Sequence, residues 1–260
     1  MSYNNIEFEK KQGVGIIRLN RPDVLNSFNY AMAKETQEAL QTCENDDSIR
    51  AIVFSANGRA FCAGQDLAEA IAEGAPTIGE IVDHTYNPII TKLRSIEKPI
   101  IGAVNGVAAG AGANIAFACD ITFAGESASF IQSFSNIGLI PDSGGTFFLP
   151  RLIGMQRATA QMFLANKVKA EEAKQLGMIY EVVSDELLQE MAFNFAADLA
   201  TRPTKGFGLT KRALNQAMFN SLEDQLVVER NLQEEAGATA DHKEGVNAFL
   251  QKRKPNYSGK

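Results

Sequence analysis

Residues 105–120 read NGVAAGAGANIAFACD, and residues 60–67 read AFCAGQDL. Runs this rich in glycine and alanine restrict the fold to one in which backbone packs closely on backbone, because few side chains are there to hold elements apart. Each run follows an expected strand and leads toward an expected helix. Small residues in that setting serve either of two ends. They seat a helix tightly on a sheet, or they leave N–H groups near a helix start open to a ligand. Two familiar phosphate cradles do not fit. After Gly110-Ala111-Gly112 a dinucleotide fingerprint needs glycine at 115, where Ile115 stands, and no Gly-Lys-Ser/Thr follows for a P-loop.

The flanking pattern is that of an α/β chain. IEFEK and VGIIRLN form an expected strand pair about a Gln12-Gly13 turn. Residues 30–45 are amphipathic, with Ala33, Ala39, Leu40 and Cys43 along one side of a helix. AIVFSA (51–56) is a short aliphatic strand of the kind buried on both faces. A helix over 77–95 and strands over 99–104 and 119–125 continue the alternation. AEGAP (72–76) reads as a mobile loop. From 184 the pattern turns helical. Ser184 is the expected N-cap with Asp185 and Glu186 in the first turn, and further helices are expected over 203–219, 222–236 and 240–252. The organisation is a β-rich core over 1–183 and a helical part over 184–260 that packs on the core or on a neighbour.

Composition removes several functions. No run of about 18 apolar residues exists to span a membrane, and MSYNNIEFEK lacks the basic and apolar regions of a secretion signal. Cys43, Cys62 and Cys119 are widely spaced and odd in number, which fits reduced thiols in a cytoplasm. The net charge of −6 opposes general nucleic-acid binding. Its distribution is uneven: residues 201–260 hold 10 Lys and Arg against 7 Asp and Glu, a balance of +3 that leaves room for an anionic ligand near the tail. With two histidines, His84 and His242, in no metal-binding spacing, no metal site is expected. The absence of a GxSxG elbow disfavours a Ser-His-Asp hydrolase.

Taken together, NRPDVLNSF (20–28), RAFCAGQDL (59–67), AVNGVAAGAGANIAFACDITFA (103–124), SNIGLIPDSGGTFFLPRLIG (135–154), AEEAKQLGMIYEVV (170–183) and EGVNAFLQKRKPNY (244–257) resemble the enoyl-CoA hydratase/isomerase, or crotonase, family in order along the chain. The resemblance implies a spiral of ββα units with a helical C-terminal trimerisation region, in a homotrimer or a dimer of trimers. It implies an acyl-CoA thioester substrate, with coenzyme A part of that substrate and no cofactor besides. Carried over residue by residue, the two main-chain donors of the family's oxyanion hole fall on Ala63 and Ala111. Val24, Gly64, Gln65, Asp66 and Leu67 fall on the coenzyme A contacts, and Gly110, Gly112, Asn114 and Phe134 around the acyl group. Phe249 and Lys252, in the basic tail, are expected to meet the coenzyme A phosphates of an adjacent subunit.

The resemblance also marks a departure. Where hydratases of the family hold and deprotonate water with two glutamates, this chain has Asn114 and Phe134, which cannot transfer a proton. Asp142, in IPDSGG, remains. An aspartate before Ser-Gly-Gly is an ordinary turn former. It is also positioned where some isomerases of the family carry their catalytic acid, and one carboxylate suffices to take a proton beside a thioester and return it elsewhere. Burial among Phe134, Ile140, Phe147 and Phe148 is expected to raise its pKa. Asp120 and Glu126 flank a strand and are assigned to structure. FCAGQDL, YNPII and FSNIGLIPDSGGT further resemble a branch that isomerises ring-bearing thioesters, for which Phe134 and Phe130 would make an apolar wall.

Overall fold

The structure, a computed structural model, describes residues 3–260. It opens with the expected hairpin. Strands β1 (Ile6–Lys11) and β2 (Val14–Leu19) pair antiparallel from Ile6 against Leu19 to Lys11 against Val14. Gln12 and Gly13 both take positive φ, 50° and 78°, as a two-residue hairpin turn matched to strand twist requires. Helix α1 (Tyr30–Asn45) follows, its N-cap Asn29 accepting a hydrogen bond from the Met32 amide. Its buried side carries Met32, Ala33, Thr36, Ala39, Leu40 and Cys43.

Three successive units then wind as strand, strand, helix. In each, the first strand joins one sheet and the second joins another. Strands β3 (Ala51–Ala56) and β4 (Ala60–Cys62) precede the short helices α2 (Leu67–Ala70) and α3 (Ile78–Ile81) and the longer α4 (Asn87–Ser95). Strands β5 (Ile100–Val104) and β6 (Val107–Ala109) precede α5 (Ala111–Ala118). Strands β7 (Ile121–Gly125) and β8 (Ser129–Ile131) lead to α6 (Gly145–Ile153) and α7 (Met155–Leu164). Strand β9 (Val168–Lys169), helix α8 (Ala170–Leu176) and strand β10 (Glu181–Val183) complete the two sheets. The six-stranded sheet runs β1-β2-β3-β5-β7-β10, the four-stranded sheet β4-β6-β8-β9. From β2 onward the larger sheet is parallel, and β3 is buried along its whole length, as a sheet covered on both faces demands.

Helix α9 (Leu188–Ala200) closes the outer face of the large sheet, where Leu188, Ala192, Ala196 and Ala200 meet Val14, Ile16, Val53 and Ile101. The part beginning at 184 therefore includes a helix that belongs to the core. Helix α9 also starts one turn later than Ser184 suggests. Asp185 accepts from the Ser127 amide at 3.0 Å, so its carboxylate is spent on the β7–β8 turn and not on a helix start. Helices α10 (Thr204–Ala217), α11 (Leu222–Gly237) and α12 (Ala240–Leu250) follow near their expected bounds. Helix α10 is pinned by Lys211, 7% exposed, which donates to Asp120 Oδ2 at 2.8 Å and Leu93 O at 2.6 Å. Asp120 also pairs with Arg94 and accepts from the Ile100 amide, the structural employment expected for it.

The helix expected over 77–95 is continuous but widens into a π-helical turn at Val82–Tyr86. Pro88 explains this locally. It has no N–H for the carbonyl four residues earlier, and that carbonyl, His84 O, accepts instead from Gln37 Nε2 at 2.8 Å. The turn closes through the Asn87 amide donating to Val82 O.

The glycine–alanine runs are where the layers touch. A Cβ added to Gly112 would lie 2.7 Å from Cys62 Cβ and 2.8 Å from Cys62 Sγ, so α5 sits on β4 with no room for a side chain. Gly112→Ala is expected to cost about 1–3 kcal/mol, the range for overpacking a filled interior. Urea unfolding of the two proteins measures it, and equal midpoints would show that the contact relaxes freely.

Candidate functional site

The functional centre is built at the start of α5. All eight residues of that helix are buried, its N-cap is Gly110, and no side chain caps it. A helix leaves its first N–H groups without intrahelical acceptors, and a buried start with no cap is an arrangement that invites a ligand. The Ala111 amide is the first of these. Gly64 lies against it: a Cβ added there would be 3.3 Å from Ala109 O and 4.0 Å from Ala111 N, and its φ of +97° is one that glycine tolerates and alanine does not.

The loop carrying Gly64 departs from the expectation at one donor. The Ala63 amide donates to Leu25 O at 3.0 Å, so it is already spent and is not a free donor. The Gly64 amide points at Cys62 Sγ, 3.4 Å away, and the Asp66 amide donates to Phe28 O at 2.8 Å. Gln65 stands between them in a parallel bridge to Phe28. In such a bridge the flanking residues bond the partner, here Phe28 N to Gly64 O and Asp66 N to Phe28 O, while the middle residue directs its own N–H to the opposite side. Among the described residues no acceptor meets the Gln65 amide. The free donors that the two runs present are thus Gln65 and Ala111. The sequence pattern placed the loop donor two residues earlier, at an amide that Leu25 takes.

Asp142 lies on the loop before α6, which is tied to α5. Its main-chain carbonyl accepts from the Gly145 amide at 2.8 Å and from Asn114 Nδ2 at 2.9 Å. One carboxylate oxygen, Oδ1, accepts from Ser143 Oγ at 2.8 Å, and the carboxyl group also bonds its own main-chain N–H. Burial is the largest influence on the carboxyl group and raises its pKa above the ordinary aspartate value, against the lowering effect of the Ser143 hydroxyl.

Asn114 is fully buried, and both ends of its amide are used: Nδ2 on Asp142 O, and Oδ1 accepting from Gln132 Nε2 at 2.8 Å. It ties the Asp142 loop to α5, a structural employment at a position where substrate contact was expected. A Cβ on Gly145 would sit 2.8 Å from Asn114 Oδ1, so α6 is also pressed onto this tether. Phe134 is 7% exposed, and its ring edge comes within 3.6 Å of a Cβ built on Gly110, a wall beside the helix start. Phe148 is equally buried and Phe147 meets it edge-on. Ile140 is 81% exposed and does not help bury Asp142. Phe130 stacks on Phe117 inside the core and is not part of a substrate wall.

At the outer edge, Val24 and Leu67 are exposed beside the Gln65 loop. Asp66 accepts from Arg21 at 2.9 Å and caps α2 through the Ala68 amide, so its carboxylate shapes the loop. Phe249 and Lys252 are exposed at the end of α12, and His84 and His242 are exposed as well. Among the described residues no group of three His, Cys, Asp or Glu side chains is placed to hold a metal ion, and no helix is long and apolar enough to cross a membrane.

The family model for enoyl-CoA hydratase/isomerase matches residues 9–260. The chain is 48% identical over 253 residues to the 1,2-epoxyphenylacetyl-CoA isomerase of Escherichia coli (strain K12), covering 96% of this chain and 97% of the relative. It is 44% identical over 260 residues to a probable enoyl-CoA hydratase of Rhodobacter capsulatus, covering 100% of both. Among solved structures, one described as a putative enoyl-CoA hydratase/isomerase from Mycobacterium abscessus superposes with a TM-score of 0.93 at 37% identity, over 98% of this chain and 100% of the other. With two sheets wound as a ββα spiral, a helical C-terminal region and an uncapped buried helix start, the chain belongs to the enoyl-CoA hydratase/isomerase, or crotonase, family of enzymes.

Proposed function

We propose that this enzyme is an acyl-CoA isomerase that moves a proton with one carboxylate, and that its substrate is 1,2-epoxyphenylacetyl-CoA, converted to the seven-membered oxepin thioester. The observation that carries the reading is the placement of Asp142: a carboxyl group whose pKa is raised by burial, on a loop tied through Asn114 to the helix whose first amide is Ala111. The thioester carbonyl oxygen would receive the Gln65 and Ala111 amides. Asp142 then takes a proton from the carbon beside the thioester, and the electron pair moves onto that oxygen as an enolate. The carbon–carbon bond shared by the epoxide and the six-membered ring breaks, both carbon–oxygen bonds are kept and the ring becomes seven-membered, while the enolate pair returns through the conjugated system and the carboxylic acid gives the proton back at a ring carbon. Substrate and product have the same composition, so the step needs no electron acceptor and no second base. The same machinery would also shift the double bond of an unsaturated acyl-CoA.

Hydratase chemistry is less well supported, although a relative of equal length bears that name. Asn114 is spent on the Asp142 loop and Phe134 offers a hydrocarbon face, so neither can hold an attacking water. Helix α11 buries none of its residues and exposes Leu222, Leu226 and Val227, a face suited to another copy of the chain in a homotrimer or a dimer of trimers. Phe249 and Lys252 would then reach the coenzyme A phosphates held by an adjacent copy.

Asp142→Asn is expected to lower kcat by about 10²–10⁴-fold, the usual worth of a positioned acid–base group, with KM little changed. Ring-epoxide thioester turnover followed by absorbance and mass measures this, and retained turnover removes Asp142 from the reaction. In the unsubstituted enzyme kcat/KM is expected to fall on the acid side with an apparent pKa above the ordinary aspartate value, because the base acts when ionised. The stability effect has the opposite sense. A raised carboxylate pKa means the ionised form is disfavoured in the folded state, a cost present above that pKa and relieved as pH falls through it. Asp142→Asn should therefore raise the melting temperature at pH 7 to 8, and an unchanged or lower value would contradict the desolvated site. Light scattering is expected to give the mass of three or six chains, and a monomer would overturn the role given to α11.

A further inference from the structure

Tyr86 is 2% exposed and is the bulkiest of the fully buried side chains. A buried phenol needs a partner for its O–H, and this one donates to Gln65 Oε1 at 2.8 Å. Its ring packs on Phe28, with centroids 5.7 Å apart at 57°. Phe28 is also the residue whose backbone brackets Gln65 on both sides. Gln65 is thus gripped twice, along its main chain by Phe28 and at the end of its side chain by Tyr86. The π-helical turn that Pro88 imposes ends at Tyr86 and sets the ring inward.

We infer that Tyr86 is a positioning residue of the oxyanion hole: by holding the Gln65 side chain, its hydroxyl fixes the direction of the Gln65 N–H. This rests on the reading that Gln65 and Ala111 receive the thioester oxygen. A hydrogen bond weakens steeply as its angle closes, and an oxyanion donor is effective because it needs no reorientation when charge develops. Gln65 follows a glycine at φ +97°, a backbone that has alternatives, so aim must come from elsewhere. The Tyr86 pKa is pushed well above the ordinary tyrosine value, by burial first and then by acidic neighbours that include Cys62 and Asp142, so the hydroxyl remains a donor throughout the working pH range.

Tyr86→Phe retains the ring and its contact with Phe28 and removes the donor. Two readouts are taken: turnover, and the carbonyl stretching frequency of bound phenylacetyl-CoA, a thioester with the same acyl chain but no epoxide. The expected result is a loss of about tenfold in kcat with little change in KM, smaller than the loss on deleting an oxyanion donor outright. The carbonyl frequency should move back toward its value in solution. Gln65→Leu, which keeps the main-chain N–H, should reproduce both changes, and the double variant should be no worse than either. A purely structural role would lower stability without moving the carbonyl frequency. An unshifted frequency in Tyr86→Phe, or effects of the two variants that multiply, overturns the inference, as does normal behaviour of Gln65→Leu. The frequency is read without turnover. A wild-type shift without isomerase activity therefore removes the function assigned to Asp142 and leaves this inference standing, whereas a wild-type protein that leaves the carbonyl unshifted removes the oxyanion hole and the inference with it.

Discussion

The close approach of two backbones is the constraint on which the rest of this structure depends. Helix α5 rests on β4 at Gly112 and Cys62, and the Gly64 loop rests on β6 at Ala109. The first is filled by the Cys62 carbonyl and its small side chain, the second by main chain. Their result is that the Gln65 loop and the start of α5 lie side by side, on two elements whose separation a side chain would enlarge. Preorganised donors are effective to the extent that nothing moves when charge appears. The glycines of this protein supply that rigidity by removing slack, a use opposite to the flexibility usually associated with them.

The second requirement is a base at a fixed distance from those donors, and Asn114 meets it. An acidic side chain at that position would place charge beside the helix start. The amide instead offers a donor and an acceptor at once, bonding the Asp142 carbonyl on one side and Gln132 on the other. An amide at this position thus acts as a strut, and in the proposed reaction the acid–base work would fall to a different loop. Phe134 fits the same reading: it puts a buried apolar ring beside the helix start and offers no proton-transferring group there.

What the sequence made legible divides along physical lines. Helix α1, the hairpin and β3 were readable because their periodicity, turn residues and aliphatic content act locally. The three-residue strands β4, β6 and β8 carry no period of their own and were reachable through the resemblance alone. Asp142 could be singled out because one carboxylate remained where two others had gone. Its surroundings could not be read so well, since Ile140 points outward while the nearby Phe148 points in. The assignment of the loop donor to Ala63 failed because Leu25, far away in sequence, takes the Ala63 amide, while Phe28 takes the carbonyl and amide on either side of Gln65. Ser184 failed likewise when Asp185 found a partner at Ser127. In both cases composition identified the segment, and a long-range hydrogen bond chose the atom.

The uncapped start of α5 shows how these points connect. A soluble helix ordinarily satisfies its first N–H groups with a Ser, Thr, Asn or Asp side chain, and α1, α11 and α12 of this protein do so. Helix α5 is entirely buried and does not. Buried, unpaired donors cost stability, and the desolvated Asp142 carboxylate adds a cost of the same kind. In the proposed reaction one event would relieve both penalties: a carbonyl oxygen entering between the Gln65 and Ala111 amides while an acidic carbon–hydrogen bond meets the Asp142 carboxylate. The favourable partner for the donors is an oxygen that becomes negative, and the favourable state for the acid is the one that has gained a proton. Proton transfer from substrate to Asp142 would produce the two together, so the cost built into the folded protein would be directed along that reaction.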